Sequence, residues 1–252
     1  MTIRRMLAFG LLFLSACAGE DRTRVKAMNK EHMVGGKTAG DVFSPELAKL
    51  ARAACTGDMA GVEAAIRAGA DPNGKGYEGV TPLIWAENCE SIAGIEALLA
   101  AEADPNLRFG DTTPVCLAAG MDNPAILNLL LKHGGDPNCA RPNSRWNALI
   151  IAFGSGMERK RWDNYYALLD AGADINSVHD GETIGLFAAG MHQYDKVAEL
   201  LDRGYNVALD DLGYMAQQRL PGSPELTRRQ DEWRLRVIEM LKARGVRFPV
   251  PA

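Results

Sequence analysis

The chain has 252 residues, 47% of them hydrophobic and 24% charged, with aromatics at only 7%. That is ordinary globular composition, long enough for one large domain or one repeat array, and its wealth of Ala, Gly and Leu fits closely packed short helices better than a β-sandwich. A net charge of −4 lacks the basic footprint on which nucleic-acid binding rests.

Met1 to Arg5 carries two positive charges, and Met6 to Leu14 is an apolar run. The run is too short to span a bilayer, which takes about 20 residues, so it reads as an export signal and is set aside from fold reasoning. Leu14-Ser15-Ala16-Cys17 follows directly. The segment resembles a bacterial lipoprotein signal, in which the Cys after a Leu-small-Ala box is lipidated and becomes the mature N-terminus. An ordinary secretory peptide cut after Ala16 is the alternative, and both export the protein. Ala18 and Gly19 follow the Cys where an Asp would hold such proteins at the inner membrane, so the resemblance implies an outer-membrane lipoprotein facing the periplasm. Cleavage before Cys17 removes Arg4, Arg5 and no acid, leaving 26 bases against 32 acids, a net charge of −6. Several acyl chains hold a protein lastingly because each buried methylene contributes about 0.8 kcal/mol.

Residues 17–43 are charged, Gly-containing and without sustained periodicity, as a flexible tether is. Ser44-Pro45-Glu46 reads as a helix cap opening the next region. From there the chain repeats itself. Gly69-Ala70-Asp71-Pro72-Asn73 recurs as Glu102-Ala103-Asp104-Pro105-Asn106, as Gly135-Asp136-Pro137-Asn138 and as Gly172-Ala173-Asp174-Ile175-Asn176. The aspartates are thus 33, 32 and 38 residues apart. A second signature stands in phase with the first: Thr81-Pro82-Leu83, Thr113-Pro114-Val115 and the weaker Thr183-Ile184-Gly185.

Two phased motifs at this period resemble the ankyrin repeat. The resemblance covers roughly residues 45–206 and implies an all-α solenoid, each unit a β-turn followed by two antiparallel helices, with about five repeats over 44–211 and a helical capping repeat over 212–252. The departures are that Ile84 and Cys116 stand where the family has His, that the fourth unit opens with Asn147-Ala148-Leu149, and that the fifth ends in Gly204-Tyr205-Asn206. The fourth unit is also five or six residues longer, with the extra material around Gly154 to Trp162. The last helix, carrying Arg228, Arg229, Asp231, Glu232, Arg234 and Arg236, reads as a terminal cap with a solvated outer face. Pro221-Gly222-Ser223-Pro224 separates it from the helix before.

With Cys17 assigned to the lipid, Cys55, Cys89, Cys116 and Cys139 remain, an even number in an oxidising compartment. Alignment on the repeat brings Cys55 near Cys89 and Cys116 near Cys139 in adjacent units, the preferred one of three pairings; free buried thiols are the alternative.

Catalytic and metal-binding patterns are wanting. The histidines at 32, 133, 179 and 192 are far apart, Phe153-Gly154-Ser155-Gly156 lacks the nucleophile-elbow spacing, and Asp71, Asp104, Asp136 and Asp174 are the family's turn residues. The expectation is therefore no enzyme, no cofactor and no metal. In ankyrin stacks the turn tips and first-helix ends form a concave binding face. Carried over by period, the tips hold Tyr77, Glu78, Arg108, Phe109, Arg141, Arg145, Trp146, His179 and Asp180, and the helix ends hold Met121, Met191 and His192. The Tyr, Trp, Phe, Met and Arg among them are residue types enriched at interfaces, and Phe109 and Trp146 either stand open in their turns or tuck back under their own hairpins. Arg159-Lys160-Arg161-Trp162 is a second candidate patch. The reading is a free monomer that binds one protein partner and is tethered by its lipid. One role is an immunity protein neutralising a toxic effector such as a phospholipase; the other is a protector or scaffold of a periplasmic enzyme, for example in oxidative-stress defence.

Overall fold

The computed structural model describes residues 36–218 and 224–250. The signal (1–16), Cys17 and the tether up to residue 35 lie outside the described residues, as does most of the Pro221–Pro224 break. Among the described residues there are thirteen α-helices and no strand, with isolated bridges that include Phe109–Thr112, Ala140–Asn147 and His179–Glu182. The fold is all-α, of ankyrin-repeat type. The described residues form two compact units that divide between Ala173 and Asp174.

In the first unit, α1 (Ala39–Val42) is followed by four helix pairs: α2 (Pro45–Thr56) with α3 (Met59–Arg67), α4 (Pro82–Asn88) with α5 (Ile92–Ala100), α6 (Pro114–Ala118) with α7 (Pro124–Lys132), and α8 (Ala148–Arg159) with α9 (Asp163–Asp170). First helices pack on first helices in succession, α2 on α4, α4 on α6 and α6 on α8. Second helices do likewise through α3, α5, α7 and α9. A single pair has an apolar side it cannot bury alone, so the stack is the core. Each first helix starts the same way. The hydroxyl of Ser44, Thr81 or Thr113, and the amide oxygen of Asn147, accepts a hydrogen bond from the backbone N–H three residues on, at 3.4, 3.3, 3.2 and 2.8 Å. Asn147 thus does the capping work of the missing Thr-Pro.

The tether reading does not hold to Phe43. Ala39, Val42 and Phe43 are buried and pack with Ala48, Ala51, Cys55 and Trp85, the Phe43 and Trp85 rings meeting edge to face at 5.6 Å. Apolar side chains at the end of the first pair need a cover, and this short helix supplies it. The longer fourth repeat is an extended first helix: α8 has 12 residues where α4 has 7 and α6 has 5.

The second unit contains α10 (Ile184–Gly190), α11 (Tyr194–Asp202), α12 (Leu209–Gln217) and α13 (Pro224–Ala243). α10 packs on α11 and α12, and α13 packs on both α11 and α12. Arg234, counted among the charges of a cap with a solvated outer face, is instead enclosed. It is 8% exposed, donates from Nη1 to the Ala216 carbonyl at 2.7 Å and from Nε to Asp231 at 2.7 Å, and so ties α13 to the end of α12.

The Asp-Pro-Asn signature has a bonding explanation. Asp71, Asp104, Asp136 and Asp174 each accept the N–H of the Asn two residues on, at 2.8–2.9 Å, which fixes the turn. The Asn side chain then reaches the next repeat. Asn73 donates to the Glu102 carbonyl at 3.0 Å and accepts from the Asp104 N–H at 2.7 Å. Asn106 does the same with Gly134 and Asp136, at 2.9 and 2.7 Å. Within the second unit Asn176 joins Gly204 and Asn206 at 3.4 and 2.8 Å. The acid series is scaffolding: each carboxylate is committed to a turn.

Two departures from the family pattern account for each other. A Cβ on Gly185 would overlap the Tyr205 ring, so the ring that replaces Ala in Gly204-Tyr205-Asn206 occupies the room left by the Leu missing from Thr183-Ile184-Gly185. Its hydroxyl lies 2.7 Å from the Thr183 hydroxyl. Likewise a Cβ on Gly135 would meet Val115 Cγ2 at 2.6 Å, which explains a Gly where three other repeats have Ala70, Ala103 and Ala173.

Candidate protein-binding surface

Between the helix pairs the chain projects as hairpins. Phe109 bridges Thr112, Ala140 bridges Asn147 and His179 bridges Glu182. At the first tip, Tyr77–Gly79 is a single 3₁₀ turn with Glu78 at φ 56°. His179-Asp180-Gly181-Glu182 closes on a two-residue loop, with Asp180 at φ 49° and Gly181 at φ 75°. That is the turn a two-residue hairpin prefers, which is why Asp-Gly stands there.

Each tip residue now has a setting. Tyr77 is 55% exposed and carries the Lys37 ammonium 3.9 Å above its ring. Glu78 is exposed. Arg108 is exposed yet held, with Nη1 donating to the Asp111 carbonyl at 3.1 Å and Nη2 to the Ala140 carbonyl of the next hairpin at 2.7 Å. Phe109 and Trp146 are half-buried rather than open. The Arg145 guanidinium lies 5.2 Å from the Trp146 ring. Arg141 is half-buried; its backbone N–H donates to the Trp146 carbonyl at 3.0 Å, while its Nε–H is enclosed without an acceptor among the described residues. Met121 is half-buried at the end of α6. These residues share the first unit. In the second unit, His179 is half-buried beside the exposed Asp180, and Met191 and His192 end α10. His192 takes φ 57°, its ring stacks toward Tyr194 at 6.5 Å, and burial pulls its pKa down.

The Arg159–Trp162 patch is largely structural. Arg159 pairs with Asp122 and donates to the Gly120 carbonyl at 3.0 Å; Arg161 pairs with Asp163 at 3.3 Å. Trp162 is half-buried and packs edge to face on Phe153 and Tyr165 at 5.1 and 5.7 Å. Gly156 allows that approach, since a Cβ there would meet the indole at 2.8 Å. Only Lys160 stands clear of these contacts.

Three members of the tip surface escaped sequence reasoning. Val178 is 57% exposed beside His179, and its signal was position: it precedes the bridge residue His179 as Arg108 precedes the bridge residue Phe109. Lys37 was hidden inside the presumed tether, and Lys75 looked like ordinary turn polarity.

The cysteines fall as the repeat alignment anticipates. Cys55 and Cys89 lie at disulfide distance, with Cα atoms 5.3 Å apart, and so do Cys116 and Cys139 at 5.9 Å. Among the described residues no group of His, Cys, Asp or Glu is placed to hold a metal ion, and no helix is long and apolar enough to cross a membrane.

No curated protein matched the chain in comparison. The ankyrin repeat family model matches residues 111–141, which run from the second half of the Phe109–Thr112 hairpin through α6, α7 and the next Asp-Pro-Asn turn. Ankyrin repeats are protein–protein interaction modules, and this chain has their all-α fold, with the matched repeat at its third helix pair.

Proposed function

We propose that the chain is a membrane-tethered protein-binding module of the periplasm, not an enzyme, and that its hairpin tips take hold of one protein partner. The observation that carries this is the concentration of Tyr77, Phe109, Trp146, Arg108, Arg141 and Arg145 on successive tips of the first unit. A tip set by solubility alone would carry small polar residues, whereas these are the side chains that anchor interfaces. The lipidated Cys17 and an outer-membrane position rest on the signal-like N-terminus. A tether beside the bilayer suits an immunity protein that neutralises a toxic effector such as a phospholipase, since it holds the inhibitor where a lipid-degrading enzyme acts. The second reading, a protector or scaffold of a periplasmic enzyme, uses the same surface with another guest.

The test is growth of cells exporting the candidate effector, with and without this chain. Protection is expected, and its weakening by Cys17→Ser, which should also move the protein from membranes to the soluble fraction. Unchanged killing rejects the immunity role. A variant that stays with membranes rejects the lipid anchor.

A further inference from the structure

The tips differ from the rest of their unit in charge. Residues 36–173 contain seventeen acidic and twelve basic side chains. The three tips at 74–80, 107–112 and 140–146 reverse that balance, with Lys75, Arg108, Arg141 and Arg145 against Glu78 and Asp111. Lys37, over the Tyr77 ring, adds a fifth cation. Arg108 is held in place by two backbone carbonyls rather than by a carboxylate, and Lys37 lies over an aromatic face. Arg141 also keeps an Nε–H with no acceptor among the described residues.

Resting on the reading of the tips as the binding face, we propose that this surface recognises an acidic segment of a protein, whose carboxylates meet Lys75, Arg108, Arg141 and Arg145 while an apolar side chain lies against Tyr77 and Trp146. A guanidinium held in place forms charge-assisted bonds to carboxylate at little further ordering cost. A basic strip on an acidic body also steers an acidic partner to that strip and repels it elsewhere.

The experiment measures fluorescence anisotropy of a labelled peptide of alternating Glu and Leu on the full exported chain. A Lys-for-Glu peptide and phosphatidylglycerol vesicles serve as competing probes. The acidic peptide is expected to bind, and to weaken by about tenfold or more in Lys75→Glu with Arg145→Glu. It should weaken again as salt shortens the electrostatic range. Lys49→Glu with Lys132→Glu makes the same change in net charge off the tips and should leave affinity within about twofold, and both variants should melt with the parent. Where the tip variant melts early, Arg108→Lys replaces it, keeping the charge and losing the planar fork, with a smaller loss expected. Equal loss in both charge variants, no loss in the tip variant, binding of the Lys peptide, or binding of the vesicles in place of the acidic peptide each overturns the proposal. Capture of a protein partner at Tyr77 and Trp146 that ignores both salt and tip charge overturns it too, while leaving the binding-module reading intact.

Discussion

Glu87 is the most anomalous residue. It lies on α4 at 0% exposure, and neither carboxylate oxygen has a hydrogen-bond partner among the described residues. It stands four residues before the cap of a second helix, where the first and third repeats place Ala54 and Ala119. Burial pushes its pKa well above the ordinary 4.5, because an isolated charge is costly to enclose. A pKa raised on folding means that the folded state binds the proton more tightly. The resulting stabilisation is whole below about pH 4.5 and is lost as pH rises through the folded value. Glu87→Gln should therefore match the parent in melting temperature at pH 4 and exceed it increasingly toward pH 8, while Glu87→Ala should stabilise by about 1–3 kcal/mol at neutral pH. A pH-independent difference between parent and Glu87→Gln would contradict this. Gly185 and Tyr205 make a second residue-scale case. Gly185→Ala should cost about 1–3 kcal/mol through overpacking against the Tyr205 ring, and Tyr205→Ala should relieve much of that in the double variant. Additive losses in denaturant melts would mean that the two sites are independent.

The repeated elements are held by capping at one end and by the asparagine relay at the other. Asn106 completes two inter-repeat bonds, to Gly134 and Asp136, so Asn106→Ala strands a carbonyl and an N–H at once. A loss of about 1–3 kcal/mol is expected in urea, with amide exchange quickened at Asp136 ahead of the helix interiors; uniform quickening would instead point to global unfolding. This layer was the most legible in the sequence. The period, the Thr caps and the Asp-Pro-Asn turns are short-range devices whose chemistry needs no knowledge of the neighbour. What the sequence hid depended on packing between segments. The helix Ala39–Val42 carries too few residues to show a period, and the cluster that buries it includes Trp85, more than forty positions away. Arg234 looked like solvated charge because its acceptor, the Ala216 carbonyl, is a backbone atom. For Phe109 and Trp146 the sequence left open whether the rings stand out or tuck back; both are half-buried, and Tyr77 is the more open ring.

For the whole molecule, the proposed account separates a structural acidic body from a basic and aromatic set of tips that meets the partner. The lipid anchor and the identity of the guest enter as proposals from the N-terminal sequence and from the tethered geometry it implies. The tip surface itself is the central claim. Its most direct test is quantitative partner capture by the parent and by Tyr77→Ala with Trp146→Ala, against Met59→Ala as comparator. Met59, 49% exposed at the start of α3, is nearly as open as Tyr77 but lies off the tips. The account predicts that the tip pair loses about tenfold or more in affinity, the scale of two interface anchors, with melting nearly unchanged, and that Met59→Ala binds as the parent does. Undiminished capture by the tip pair, or an equal loss in Met59→Ala, would contradict it.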